Sequence, residues 1–367
     1  AHLRGQVSPA ALCAVVKADG YGHGAVEVAS AAVAGGATYL GVALAEEGHQ
    51  LRQAGIEVPI LVLSEPPPPA MRLVVEDKLT PSVYTEAGLA ALVAAAASDD
   101  LGGWRQAPGH WPEPVPVHLK LDTGMHRVGA DPPTALALAR AVAGEPSLRL
   151  EGFFTHLAVA DEPGDPFTAE QLSRFDAAVA ALAAEGIRPP LLHAANSAGA
   201  LLHPAARYDM VRSGIAVYGL APAASLGGDR VASGLRPALS FKAGVSYAKE
   251  LPAGERLSYG LRYRLPQRSV VATVPVGYAD GVPRRLHEVG GEVLISGRRR
   301  RVAGTVTMDQ LLVDCGPDAS VQAGDEVVLL GRQGDEEVTV WEWAKRLGTV
   351  AYEVTCGLSA RLPRVYT

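Results

Sequence analysis

Six lysines stand against 27 arginines in the 367-residue chain, so amine chemistry has a short list of candidates: Lys17, Lys78, Lys120, Lys242, Lys249 and Lys345. Lys17 follows the apolar run Ala14-Val15-Val16 and precedes Ala18-Asp19-Gly20-Tyr21-Gly22-His23-Gly24. A lysine closing an apolar strand is partly desolvated, which lowers its pKa and suits a Schiff base or a general base. The same position equally suits an ammonium snorkelling at a barrel rim. Other reactive groups also close apolar runs: Lys120 and Asp122, His156, then His193 with Asn196 and Ser197, and Arg212 with Ser213 and Gly214. The loops Asn196-Ser197-Ala198-Gly199 and Ser213-Gly214-Ile215 offer a hydroxyl and backbone N–H groups. Such groups bind phosphate at helix starts, or serve as ordinary N-caps.

The elements that must position these groups are legible in the hydropathy pattern. Candidate strands are Leu12–Lys17, Tyr39–Ala43, Ile60–Leu63, Leu79–Tyr84, Val115–Leu121, Leu148–Thr155, Leu191–His193 and Asp209–Arg212. Between them lie helical segments such as Ala25–Ala34, Glu46–Ala54, Ala87–Ala97, Thr134–Ala143 and Ala169–Glu185. Eight strand–helix units predict a (β/α)8 TIM-type barrel, whose strand C-termini converge on one face. A doubly wound sheet would leave units unplaced, and neither GxGxxG nor GxxxxGK[ST] occurs. Ser98–Pro116 reads as an excursion before the fifth strand. After Ser233 period-two runs take over: Ser240–Ala248, Ser269–Val276, Gly291–Ile295, Val302–Val306, Leu311–Asp314 and Glu326–Leu330. A helix over Val340–Leu347 and a last strand over Ala360–Tyr366 are predicted to follow. The fold class is thus α/β, with a barrel over 1–232 and a mostly β C-terminal domain over 233–367.

The net charge of -6 favours neither nucleic acid nor an anionic membrane as partner. No apolar run approaches the ~18 residues of a membrane span. Three separated cysteines without a CxxC predict a reducing, cytoplasmic setting, and the histidines lack metal-ligand spacing.

Together, VVKADGYGHG around Lys17, His118–Gly129 (HLKLDTGMHRVG) and Gly152–His156 (GFFTH) form an ordered series. It continues through His193–Ser197 (HAANS), Val211–Gly219 (VRSGIAVYG), Leu257–Gly260 (LSYG), Val276–Gly281 (VGYADG), Val306–Gln310 (VTMDQ) and Ala351–Glu353 (AYE). This series resembles the bacterial alanine racemases, enzymes dependent on pyridoxal 5'-phosphate, over nearly the whole chain.

The resemblance implies that Lys17 forms the cofactor Schiff base and is one catalytic base, with Tyr259 from a neighbouring subunit as the other. Arg212 would face the pyridine nitrogen, with His193 and His156 orienting it and the ring. Tyr21, Asn196, Ser197, Gly214, Ile215 and Tyr352 would hold the cofactor, mainly at its phosphate. Arg127 and Met308 would contact substrate, and Asp309 would support the substrate side. Lys120 matches a lysine often carbamylated in the family, while Asp161 and Tyr278 resemble entrance residues. Thr305 and Thr307 depart from the arginine and cysteine common among relatives, which bears on access. The chain opens inside what should be the first helix, so an N-terminal strand that relatives pack into the β domain is expected to be missing. The implied activity is interconversion of L- and D-alanine by a cytoplasmic homodimer with shared sites, supplying D-alanine for peptidoglycan. Alternatives are a decarboxylase of basic amino acids, disfavoured by Arg212 where a carboxylate is expected; a single-barrel cofactor carrier, disfavoured by length; and a broad-specificity racemase.

Overall fold

The computed structural model describes residues 1–97, 114–226, 234–317 and 320–367. They group into two units, Ala1–Gly20 with Gly24–Leu235, and Tyr21–His23 with Arg236–Thr367. The expected boundary at 232/233 and most of the expected excursion, residues 98–113, lie outside the described residues.

In the first unit, β1 (Ala11–Val15), β2 (Tyr39–Val42), β3 (Ile60–Val62), β4 (Thr80–Val83), β5 (Val115–Lys120), β6 (Leu148–Phe154), β7 (Leu191–His193) and β8 (Met210–Ser213) form one parallel sheet. Its order is β7-β6-β5-β4-β3-β2-β1-β8. The barrel closes where Asp209 N donates to Leu192 O (3.0 Å) and Arg212 N to Ala195 O (3.0 Å). Every residue of β3, β4 and β5 is buried, as expected of parallel strands covered on both faces. Helices Ala25–Ala34, Ala45–Gln53, Glu86–Ala96, Pro132–Gly144 and Phe167–Ala184 fall within a few residues of their predicted places. Alanine costs little to order in a helix, and side-chain caps from Thr85 and Asp131 fix two of the starts. The helix Met71–Glu76 is too short to announce itself by periodicity.

β1 ends two residues before Lys17. The chain then winds left-handed, with φ of 53° at Ala18, 51° at Asp19, 60° at Gly20 and 53° at Tyr21. Hydrogen bonds hold this turn: Gly20 N donates to Val16 O (2.9 Å), Ala25 N to Asp19 Oδ1 (2.9 Å) and Ala18 N to Glu47 Oε1 (2.7 Å). The other oxygen of Glu47 accepts Ala43 N (2.7 Å) just past β2, so one carboxylate pins two neighbouring strand exits.

The second unit is mostly antiparallel. Its main sheet comprises β9 (Phe241–Gly244), β10 (Tyr247–Leu251), β13 (Ser269–Val274), β14 (Glu292–Ile295), β15 (Arg298–Val302), β16 (Leu311–Asp314), β17 (Glu326–Gln333) and β18 (Glu336–Val338), with β11 (Arg256–Leu257) and β12 (Tyr263–Arg264) as a separate hairpin. The order is β10-β13-β16-β15-β14-β17-β18, and β9 adds to β17. Helix Val340–Leu347 stands where predicted, with Trp343 fully buried.

Three expectations in this unit are corrected. The single strand Ser240–Ala248 is two, because β9 pairs with β17 while β10 pairs with β13. The strand expected over Val302–Val306 is β15, the arginine run before it; Arg299 is ion-paired to Glu292, Glu336 and Glu342, so its charge does not oppose the ladder. Ala360–Tyr366 forms no strand, and Arg361 and Arg364 tether it instead through Asp280, Asp309 and the carbonyls of Gly22, Leu358 and Ser359. Pro363 offers no N–H for a ladder.

Candidate active site

The strand ends of the barrel bring cations together. Lys120, at the end of β5, is almost wholly buried, and its pKa is pulled down to about 7 by burial and then by Arg212, Arg127 and Lys17. Asp122 acts in the opposite sense. Lys120 Nζ lies 5.4 Å, and the Arg212 guanidinium carbon 5.0 Å, from the centre of the Phe154 ring. An apolar π face thus replaces part of the lost hydration of both cations.

Arg212, on β8, is buried and its pKa is lowered to about 10, chiefly by burial, so it stays charged at neutral pH. Nη1 donates to His193 Nδ1 (2.7 Å) and His193 O (3.2 Å). Nη2 donates to Thr155 O (2.7 Å) and Ala194 O (3.1 Å) and lies 3.2 Å from His156 Nδ1. Nε–H has no partner among the described residues. Burial, and then the Arg212 charge, push His156 and His193 well below the usual histidine range, so both imidazoles are neutral.

A chain of contacts continues behind His193. Its Nε2 lies 2.9 Å from His118 Nδ1 on β5, and His118 Nε2 lies 3.3 Å from Glu151 Oε2 on β6. Glu151 also accepts from Arg149 (2.9 Å).

The loop after β5 carries Arg127. Ala130 N donates to Lys120 O and Asp122 N to Ala130 O, each at 2.9 Å, pinching its neck. Asp122 folds the tip by accepting Gly124 N (2.9 Å) and His126 N (3.1 Å). A Cβ on Gly129, at φ +134°, would lie 2.7 Å from Asp122 N, so the pinch requires glycine. After β7, Asn196 caps helix Ser197–Leu202 by accepting Gly199 N (2.9 Å). Ser197 Oγ accepts Gly214 N (2.9 Å) and Ala216 N (3.3 Å), joining the two loops suspected of phosphate binding.

The remaining expected residues belong to the second unit. Tyr259, Tyr278, Met308 and Asp309 line one cavity of about 640 Å³ with Arg284, Val306, Thr307 and Gln310. Tyr259 is 71% exposed and Met308 52% exposed. The backbone presenting Tyr259 is built with care: Thr305 Oγ1 donates to Tyr259 O (2.9 Å), and Ser258 Oγ donates to Thr305 O (2.5 Å). Thr305 is buried and supports Tyr259, so its expected bearing on the entrance is indirect. Thr307 closes the Met308 loop by donating through Oγ1 to Gln310 O (2.8 Å), and Arg361 ties Asp309 (2.7 Å) to Asp280 (2.6 Å). The rings of Tyr21 and Tyr352 lie 6.0 Å apart, and burial, then Tyr352, raises the Tyr21 pKa, keeping its hydroxyl a donor.

Sequence reasoning assigned no role to His118, Glu151, Glu47 or Phe154. For Glu151 a signal existed: a carboxylate inside a buried strand seldom occurs without partners. No group of three or more His, Cys, Asp or Glu able to hold a metal occurs among the described residues. None of their helices is long and apolar enough to cross a membrane.

Residues 1–222 match the family described as alanine racemase, N-terminal domain, and residues 238–366 match alanine racemase, C-terminal domain. An alanine racemase of Symbiobacterium thermophilum is 50% identical over 355 residues, covering 97% of this chain and 90% of the relative. One from Thermobifida fusca is 42% identical over 371 residues, covering 100% of this chain and 94% of its own. The crystal structure of alanine racemase from D-cycloserine-producing Streptomyces lavendulae superposes with a TM-score of 0.89 at 39% identity, over 100% of this chain and 92% of that one. With both domains matched in order, and a buried arginine and lysine gathered at the strand ends of its barrel, the chain belongs to the alanine racemase family.

Proposed function

We propose that this protein interconverts L- and D-alanine with pyridoxal 5'-phosphate, acting as a cytoplasmic homodimer that supplies D-alanine for peptidoglycan. The observation that carries the reading is the gathering of three cations, Lys17, Arg127 and Arg212, around the buried Lys120 amine, with Asp122 acting against them there. An anionic phosphate and phenolate fit that excess charge, and the unpartnered Arg212 Nε–H fits a ring nitrogen. Bound pyridoxal phosphate supplies the electron sink that makes an amino acid's α-proton removable.

The chain's own groups do the rest. Lys17 anchors the cofactor and, when released, takes or returns the α-proton on one face. Tyr259, supplied with Met308 by a second copy of the chain, serves the opposite face; its exposure in its own unit supports this. Arg212 can only donate, so it leaves the ring nitrogen without a proton and limits how far charge is withdrawn from the substrate. His193 and His156 orient that arginine. Arg127, helped by a carbamylated Lys120, holds the substrate carboxylate, with Asp309 steadying the loop of Met308. Ser197 and the amides around Gly214 and Ile215 hold phosphate on the barrel side, with Asn196 fixing their loop, and the hydroxyls of Tyr21 and Tyr352 are further donors.

The test is direct. The purified protein with pyridoxal phosphate should show a lysine-linked chromophore and produce D-alanine from L-alanine in a chiral assay. Lys17→Ala should lose both. Release of carbon dioxide from ornithine, arginine or diaminopimelate would overturn the assignment.

A further inference from the structure

Behind Arg212 the barrel holds two buried polar groups to which no role has been given, His118 and Glu151, with the part-exposed Arg149 at their outer end. Their donor and acceptor roles can be worked out from one end. A guanidinium has no acceptor, so at 2.7 Å it must donate to His193 Nδ1. Neutral His193 therefore carries its proton on Nε2, which donates to His118 Nδ1 at 2.9 Å. Neutral His118 then carries its proton on Nε2, which faces Glu151 Oε2 at 3.3 Å. Glu151, an acceptor on both oxygens, completes the order with Arg149 donating to it at 2.9 Å. Every proton position from Arg212 to Glu151 has one arrangement that satisfies all partners.

The backbone is shaped for this line. Val117 pairs with Leu150 and His118 with Gly152, so Glu151 is one extra residue in β6. Such irregularities re-aim side chains and are rare in parallel pairs. Glu151 thereby reaches the His118 ring, which is fully buried. The neighbouring position must be glycine, because a Cβ on Gly152 would lie 2.4 Å from His118 Nδ1. Burial would raise the Glu151 pKa, but bonds from His118 and Arg149 outweigh it and hold the carboxylate ionised.

We propose that Glu151 and His118 are positioning residues for Arg212: the Glu151 carboxylate, as the acceptor that closes the line, locks in the one tautomer pair of His118 and His193 that Arg212 can use and so keeps the Arg212 fork oriented for the cofactor ring. This rests on the proposed function in placing the ring against Arg212. The proton order itself does not depend on it.

Two variants test the proposal. Glu151→Gln keeps the shape but introduces an amide donor, and Gly152→Ala displaces the His118 ring while leaving every titratable group in place. Neutron diffraction from the deuterated, cofactor-loaded wild type should show deuterium on Nε2 of both His118 and His193, and Glu151→Gln should shift or mix these positions. Both variants should lower kcat about 10-fold with little change in KM and with full cofactor loading, as loss of an outer partner typically does. Deuterium on His193 Nδ1 in the wild type would overturn the proposal. So would unmoved deuterium and unchanged kcat in Glu151→Gln, even if Gly152→Ala failed to fold. A wild type that took up no cofactor would instead overturn the proposed function, while the hydrogen positions would still be readable in unloaded crystals.

Discussion

The two units present their reactive groups in opposite ways. In the barrel, Lys120, Arg212 and His193 are buried, and each is fixed by hydrogen bonds, an aromatic face or neighbouring charges. In the β domain, Tyr259, Tyr278 and Met308 stand exposed on a carefully braced backbone. Buried charge is tolerated only where partners are fixed, so the barrel half is preorganised within its own unit. Large exposed apolar groups signal a surface that something else covers. The barrel's reactive groups are thus fixed within their own unit, whereas those of the β domain are only presented, exposed, on a braced backbone.

Substitutions can break or sharpen this contrast. Lys17→Ala should have the largest effect, lowering racemisation by about 10⁴-fold or more, since the proposed base and cofactor anchor would be lost together. Tyr259→Phe should cost about 10²- to 10⁴-fold in turnover, the range for one positioned acid–base group. Because the residue is exposed, its unfolding free energy should stay within about 0.5 kcal/mol of wild type in a urea titration. If Tyr259→Phe were strongly destabilising instead, the division between halves would fail.

Thr305→Val probes the bracing. It removes the bond to Tyr259 O from a buried site, so a loss of about 1–2 kcal/mol is expected in the same titration. Turnover should fall by less than in Tyr259→Phe. An unaltered steady-state assay and melt would show the brace to be idle.

A further effect concerns pH. Lys120 titrates at about 7 in the folded chain, below its ordinary value of 10.5. Between those values the unfolded state binds more protons, so this lysine's contribution makes stability rise with pH from about 7 toward 10. Below about 7 both states are protonated and the cost is constant. In buffers free of carbon dioxide, the melting temperature of wild type relative to Lys120→Met should climb between pH 7 and pH 9; a flat difference would contradict the burial of a free ammonium.

Much of this was legible in the sequence where one physical signal dominated. The barrel strands stand out because apolar runs buried on both faces have no competing reading, and the helices because alanine-rich periodicity is simple. β15 was misplaced because an arginine run reads as solvated surface, whereas Arg299 is matched by Glu292 on the neighbouring strand and by Glu336 and Glu342 far away in sequence. The C-terminal segment misled for the converse reason: its apolar residues suggested a ladder, but Arg361 and Arg364 hold it through side chains. The places of Lys120 and Arg212 at strand ends were readable because a barrel gathers such groups on one face. At Glu151 a carboxylate in a buried strand signals partners, but which ones it meets depends on one extra residue in β6 that no hydropathy pattern reveals.

The left-handed turn after Lys17 has a consequence for engineering. Ala18 and Asp19 hold a backbone shape natural to the mirror image of their own chirality, at about 1–2 kcal/mol each. The ordinary rule that glycine loosens a fold should therefore invert at Ala18, where the missing methyl relieves more than added unfolded-chain freedom takes away. The segment next to Lys17 is thus a place where a more pliable residue would make the protein tougher.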